Sequence, residues 1–129
     1  MFRALTLAAL LTTPALADEV WDSDIGAFVY EAETDGAAVF SFRNFDGYQA
    51  TLVIPGLAGN FDNRGVHEAF WIGKGPGYCL GSMSYNAQSG NQWGRALLQF
   101  DKPNYPTSFT LLMGDCFDPL SYSVRAIIR

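Results

Sequence analysis

The stretch YQATLVI, Tyr48–Ile54, decides the fold class. In an extended chain Tyr48, Ala50, Leu52 and Ile54 project to one side, and Gln49, Thr51 and Val53 to the other, the period-two pattern of a strand with one buried face. Asn44-Phe45-Asp46-Gly47 introduces the strand as a turn, and Pro55-Gly56 stops it. Working outward, runs rich in β-formers recur at Gly26–Glu33, Ala37–Phe42, Val66–Ile72, Tyr78–Tyr85, Trp93–Phe100, Ser108–Gly114 and Ser121–Ile128. Most glycines and prolines fall between these runs. The segment RALLQF, Arg95–Phe100, is too short for a stable helix and follows Trp93-Gly94. About eight strands with turns roughly every ten residues predict an all-β domain, either a small β-sandwich or a closed antiparallel barrel.

The first residues read as a leader. Arg3 precedes the uncharged run ALTLAALLTTPALA, which ends in Ala15-Leu16-Ala17 before Asp18. This is the pattern of a cleaved export signal, residues 1–17, followed by a single domain over 18–129. The apolar run is shorter than the roughly 20 residues a membrane-spanning helix needs. Localisation is therefore expected to be periplasmic or secreted. Without Arg3 the chain carries 7 basic and 13 acidic residues. That balance, with no basic cluster, argues against nucleic acid or an anionic membrane surface as a partner.

Cys79 and Cys116 are the two cysteines. In an oxidising compartment they have one intramolecular pairing open to them, closing a loop of about 38 residues and stabilising the fold by about 3–4 kcal/mol on the chain-entropy model. Two cysteines and one histidine match no zinc spacing, and there is no Cys-x-x-Cys. No metal or other cofactor is expected.

The glycine-rich segment RGVHEAFWIGKGPGYCLG, Arg64–Gly81, invites a nucleotide-binding reading that its register refuses. Lys74 is followed by Gly75 rather than Ser or Thr, and the third glycine of a dinucleotide loop is replaced by Leu80. It reads instead as a strand, a glycine hairpin with positive φ and the first staple cysteine. His67 is expected on the face opposite Phe70 and Ile72, with the latter pair toward the core. With no Gly-x-Ser-x-Gly present, it reads as a surface or hydrogen-bonded residue rather than a catalytic base. Glu31 and Glu33, at i and i+2 on a strand, would project from one face roughly 6.5–7 Å apart, a spacing that touches the inverting-glycosidase range. They lie at a strand end beside Asp35, where solvation would leave both ionised. Asp22-Ser23-Asp24 offers too few oxygens for calcium.

Aromatics are the strongest compositional feature, with 3 Trp, 6 Tyr and 9 Phe after the leader. Most Phe fall within strands. Tyr48, Tyr78, Tyr85, Trp93 and Tyr105 stand at strand ends, where rings plug an open end or anchor a ligand. NAQSGNQWGR, Asn86–Arg95, reads as a polar loop whose amides, hydroxyl, indole and guanidinium suit a hydroxyl-rich or peptide ligand. The candidate ligand-binding residues are Lys74, Tyr78, Tyr85, Trp93 and Arg95.

FWIGKG, Phe70–Gly75, resembles over six residues a segment of the periplasmic c-type lysozyme inhibitors, which are small β-barrels. The resemblance implies an inhibitor whose Lys74 or Arg95 enters an acidic cleft. The whole sequence thus predicts an exported, non-catalytic binding protein acting through strand-end loops on an envelope protein or a glycan, one version being an inhibitor of a cell-wall hydrolase. The rivals are a small carboxylate-dependent hydrolase and a structural subunit of an envelope assembly.

Overall fold

In the computed structural model, residues 19–57, 65–103 and 106–129 are described, so the leader expected at 1–17 and Tyr105 lie outside the described residues. Ten strands follow in chain order: β1 (Val20–Asp22), β2 (Phe28–Thr34), β3 (Ala37–Arg43), β4 (Gln49–Pro55), β5 (Val66–Gly73), β6 (Met83–Tyr85), β7 (Gln88–Gly90), β8 (Trp93–Phe100), β9 (Phe109–Met113) and β10 (Tyr122–Ile128). Eight of them close a barrel in the order β1-β10-β9-β8-β5-β4-β3-β2, every pairing antiparallel. Of the two predicted architectures the barrel is the one formed. Among the described residues no helix is long and apolar enough to cross a membrane.

Alternation fills the barrel. Ala50, Leu52 and Ile54 of β4 point inward as predicted, beside Phe40 and Phe42 of β3 and Leu98 and Phe100 of β8. Small inward residues (Ala38, Ala50, Ala69, Ala96, Ala126) leave room for large ones, the way an eight-stranded barrel is packed solid. Phe109 is the hub of the core, its ring 5.5 Å from Trp21, 5.6 Å from Phe28, 6.0 Å from Phe40 and 5.9 Å from Phe100. The closing strand β1 is three residues long and was not legible as a strand. It holds because Trp21 is fully buried and its indole N–H donates to the Thr107 carbonyl at 2.8 Å. Arg129 pairs with Asp22 across the same seam.

The short strands β6 and β7 form a separate hairpin folded over the outside of the barrel. Asn86 takes φ +54° at its turn, a conformation asparagine tolerates. Tyr85 meets Phe70 edge-on at 5.9 Å, and the Thr51 hydroxyl donates to Gln88 Oε1 at 2.8 Å. This cover reverses one expectation. Phe70 and Ile72 face outward, into a second apolar cluster with Trp93 and Met83, while Ala69 and Trp71 face the core. A strand apolar on both faces cannot declare its orientation by alternation. His67 consequently shares the interior side with Ala69 and Trp71, its ring 6.2 Å from Phe100, and its Nε2 has no hydrogen-bond partner among the described residues. Burial holds its pKa below the usual value, so it sits neutral.

Two further expectations are corrected. A β-bulge between Tyr30 and Ala32 adds one residue to β2 and flips its parity. Glu31 therefore accepts from the Ser41 hydroxyl on the outer face at 2.7 Å, whereas Glu33 lies opposite Ala38, an inward residue. The two carboxylates do not share a face. The glycines after β5 do not make a hairpin, because β5 pairs with β8 and the chain crosses the barrel end as coil. Nor do they need positive φ. A Cβ on Gly73 would overlap the Gln92 side chain and one on Gly75 would overlap the Tyr48 ring, so they serve close approach.

Gly94 is the tightest of these points. A Cβ there would overlap the Gly114 carbonyl and the Trp71 indole nitrogen, which are hydrogen-bonded to each other at 3.0 Å. Because the obstacle is backbone, Gly94→Ala should cost about 3 kcal/mol, the upper range for overpacking. Gly81→Ala, with nothing within 4 Å of its Cβ position, should change stability by less than about 0.5 kcal/mol. Urea unfolding of the two variants measures the difference.

Candidate functional site

One end of the barrel gathers the chemistry. It is built from the β3–β4 turn, the coil between β5 and β6, and the β9–β10 loop. The turn is organised by Asn44, whose Oδ1 accepts from the backbone N–H of Asp46 at 3.1 Å and of Tyr48 at 2.9 Å. Its amide donates to Gln92 Oε1 at 3.2 Å, and the same oxygen accepts the Gly75 N–H at 2.8 Å. Gln92 is 1% exposed and acts as an internal strut. Asn91 likewise donates to the carbonyls of Cys79 and Gly81, at 3.3 and 3.0 Å. Asn91 and Gln92, which resembled ligand-binding residues in the sequence, therefore hold the barrel end together.

Cys79 and Cys116 are bonded, with Cα atoms 5.5 Å apart and a sequence separation of 37. Cys79 is anchored by its N–H on Asn91 O at 3.1 Å, and Cys116 by its N–H on Trp93 O at 2.8 Å. Cys116 takes φ +54°, a left-handed conformation unusual outside glycine. The bond thus ties the β5–β6 coil to the β9–β10 loop over the start of β8. An oxidising compartment suits it.

Above this bond lies an open groove of ≈ 360 Å³, floored by the disulfide and Trp93 and walled by Tyr78, Leu80 and Phe117. Leu80 is 105% exposed, Phe117 75% and Tyr78 53%. The Phe117 ring stands edge-on to Trp93 at 5.0 Å. The wall carrying Phe117 is braced from behind by Arg95, whose Nη2 donates to the carbonyls of Phe117 and Asp118 at 3.1 and 2.9 Å. Beside the groove is a small pit of ≈ 20 Å³ lined by Phe45, Asp46, Trp71, Asp115 and Tyr122, among others. The Phe45 and Tyr122 rings lie 4.8 Å apart, and the Tyr122 hydroxyl donates to Asp115 Oδ2 at 3.0 Å. Among the described residues Asp46, Asp115 and Asp118 have no ion-pair partner; the two ion pairs lie at Arg125–Asp101 and Arg129–Asp22. Burial, helped by the Asp115 and Asp46 carboxylates, pushes the Tyr78 hydroxyl up to about 12. The hydrogen bond to Asp115 raises Tyr122 as well, so both remain donors at neutral pH.

Of the five candidate residues, the structure brings Tyr78 and Trp93 together in the groove and sets Arg95 behind its wall. Trp93 does not extend its polar tip into water: it is 4% exposed and its indole N–H donates to Gly81 O at 2.9 Å. Lys74 is exposed where the chain leaves β5, with its backbone N–H on Gln49 O at 2.9 Å. Tyr85 belongs to the β6–β7 hairpin. Sequence reasoning missed Leu80, Phe117, Phe45, Asp46, Asp115 and Tyr122. A usable signal existed for two of them, since Phe45 and Phe117 are large apolar residues between the strand-forming runs, where strand alternation gives them no place in a core. No protein-family model matches the chain, and no curated protein or solved structure is significantly similar to it. Among the described residues no group of three or more acidic, cysteine or histidine side chains is placed to hold a metal.

The raised tyrosine gives a pH signature. Its folded value of about 12 exceeds the ordinary 10.0, so the stability it contributes is complete below pH 10 and is lost as pH rises toward 12. Phenolate absorbance of the native protein minus that of Tyr78→Phe should show a step centred near 12; a step at 10 contradicts the nearness of its hydroxyl to Asp115 and Asp46.

Proposed function

We propose that this is an exported, disulfide-braced binding protein that engages a protein partner through the groove at the loop end of its barrel, without catalysis. A single observation carries the reading. Of the nine exposed large apolar side chains among the described residues, six (Phe45, Tyr48, Tyr78, Leu80, Phe117 and Tyr122) belong to this one end. Rigid, exposed aromatic and aliphatic side chains around a concave floor are the composition of a binding hot spot. The interior, by contrast, is packed with rings rather than open to a ligand.

A protein segment is favoured over a glycan because Asn91 and Gln92, which would be needed for hydroxyl recognition, are engaged internally. The hydrolase reading loses its main support with Glu31 and Glu33 on opposite faces. The version in which Lys74 or Arg95 enters an acidic cleft has less support too. Arg95 is engaged by backbone carbonyls, and the groove end is itself acidic. The disulfide suits the bacterial periplasm or the exterior.

The test is a selection of displayed envelope-protein fragments against the oxidised protein, followed by calorimetry. Leu80→Ser and Phe117→Ser should each weaken binding about tenfold or more, as truncation of a hot-spot residue does. Ile127→Ser, on the barrel wall, should leave it unchanged. Fragments that bind all three variants with wild-type affinity would overturn the proposal.

A further inference from the structure

We infer that the pit beside the groove is a subsite for a primary ammonium, the end of a lysine side chain on the partner protein. This rests on the groove reading above and adds to it the chemistry of the neighbouring contact.

Four observations converge. The first is size: ≈ 20 Å³ accommodates one water-sized group, which an ammonium is and a planar guanidinium fork is not. The second is the lining, in which Asp46 and Asp115 stand with the aromatic residues Phe45, Tyr122 and Trp71. Carboxylate acceptors combined with aromatic faces are the two means by which proteins hold an ammonium. The third is the missing counter-charge. Among the described residues no lysine or arginine forms an ion pair with Asp46, Asp115 or the adjacent Asp118, so the surface is complementary to a cation. The fourth is pre-organisation. Tyr122 holds Asp115 by its hydroxyl, Asn44 holds the backbone of Asp46, and Gly114 holds the Trp71 indole. A pit already shaped before binding loses little freedom on binding.

Tyr78 joins the two sites. It lines the groove, and its hydroxyl is close enough to Asp115 and Asp46 to feel both carboxylates. A segment that lays an apolar side chain over the disulfide floor can therefore present a neighbouring lysine to the pit. Two carboxylates alone fall short of the six to eight oxygens calcium requires, so a metal ion is the poorer occupant.

The experiment titrates the oxidised protein with three acetylated, amidated dipeptides, Leu-Lys, Leu-norleucine and Leu-Arg, following the Trp71 indole N–H by two-dimensional NMR. Leu-Lys should bind about tenfold tighter than the other two, the scale of one charge-assisted contact. The preference should shrink as salt is raised. Asp46→Asn and Asp115→Asn should each abolish the preference of the protein for Leu-Lys over Leu-norleucine. Tyr122→Phe, which keeps the ring and frees Asp115, should reduce it. Phe117→Ser should weaken all three dipeptides alike. Equal binding of Leu-Lys and Leu-norleucine overturns the ammonium subsite and leaves the groove standing. Equal binding of Leu-Lys and Leu-Arg overturns the size selection, and with it the assignment to an ammonium. If none of the three shifts any groove or pit resonance, both readings fall.

Discussion

The covalent bond between Cys79 and Cys116 is the constraint on which the functional end of this molecule depends. It crosses the start of β8, where Gly94 lets the Gly114 carbonyl and the Trp71 indole come together, and fastens two coil segments outside the barrel strands, of which the one carrying Cys116 also makes a single bridge to Gly94 of β8. On the chain-entropy model such a bond is worth about 3–4 kcal/mol, against a total stability of about 5–15 kcal/mol for a domain. Its place matters more than its magnitude. The same bond is the floor of the groove, and Tyr78, Leu80 and Phe117 hang from the residues next to its two ends. Asn91 and Arg95 then fix the surrounding carbonyls with side-chain hydrogen bonds, and the Gln92 side-chain oxygen accepts the Gly75 N–H.

Structure and recognition occupy different parts of the barrel. The interior is filled by Trp21, Phe28, Phe40, Phe42 and Phe109, all essentially buried, so it supplies stability rather than a chamber. Closure removes the exposed sheet edges that would otherwise pair with other chains. The β6–β7 hairpin covers the outer face of β4, β5 and β8, which explains why Thr51 and Ile72 are buried although they point away from the core. What remains exposed and apolar is concentrated at one end.

Much of the fold could be read from the sequence, because period-two alternation and turn residues are local signals. The strand Trp93–Phe100 falls where the pattern put it, and the pairing of Cys79 with Cys116 followed from there being two cysteines. Of the features that were not legible, three have a non-local cause. The orientation of β5 depends on a hairpin that arrives ten residues later and makes both faces apolar. The separation of Glu31 from Glu33 depends on a bulge whose extra residue is defined by the partner strand. The brevity of β1 hides it, since its standing rests on Trp21 reaching the carbonyl of Thr107, distant in sequence. The site was half legible. Tyr78 and Trp93 were marked as ligand residues and meet in the groove, but the amides of Asn91 and Gln92 resemble ligand contacts only until their internal partners are known.

Hydrogen–deuterium exchange on the oxidised and the thiol-reduced protein tests the central claim most directly. Reduction should raise exchange in residues 74–82 and 114–120 while the amides of β2, β3 and β4 stay protected, because the barrel is closed without the bond and the groove is not. Unchanged exchange in both coil segments, or native protein found with two free thiols, would contradict the view that the disulfide frames the binding surface.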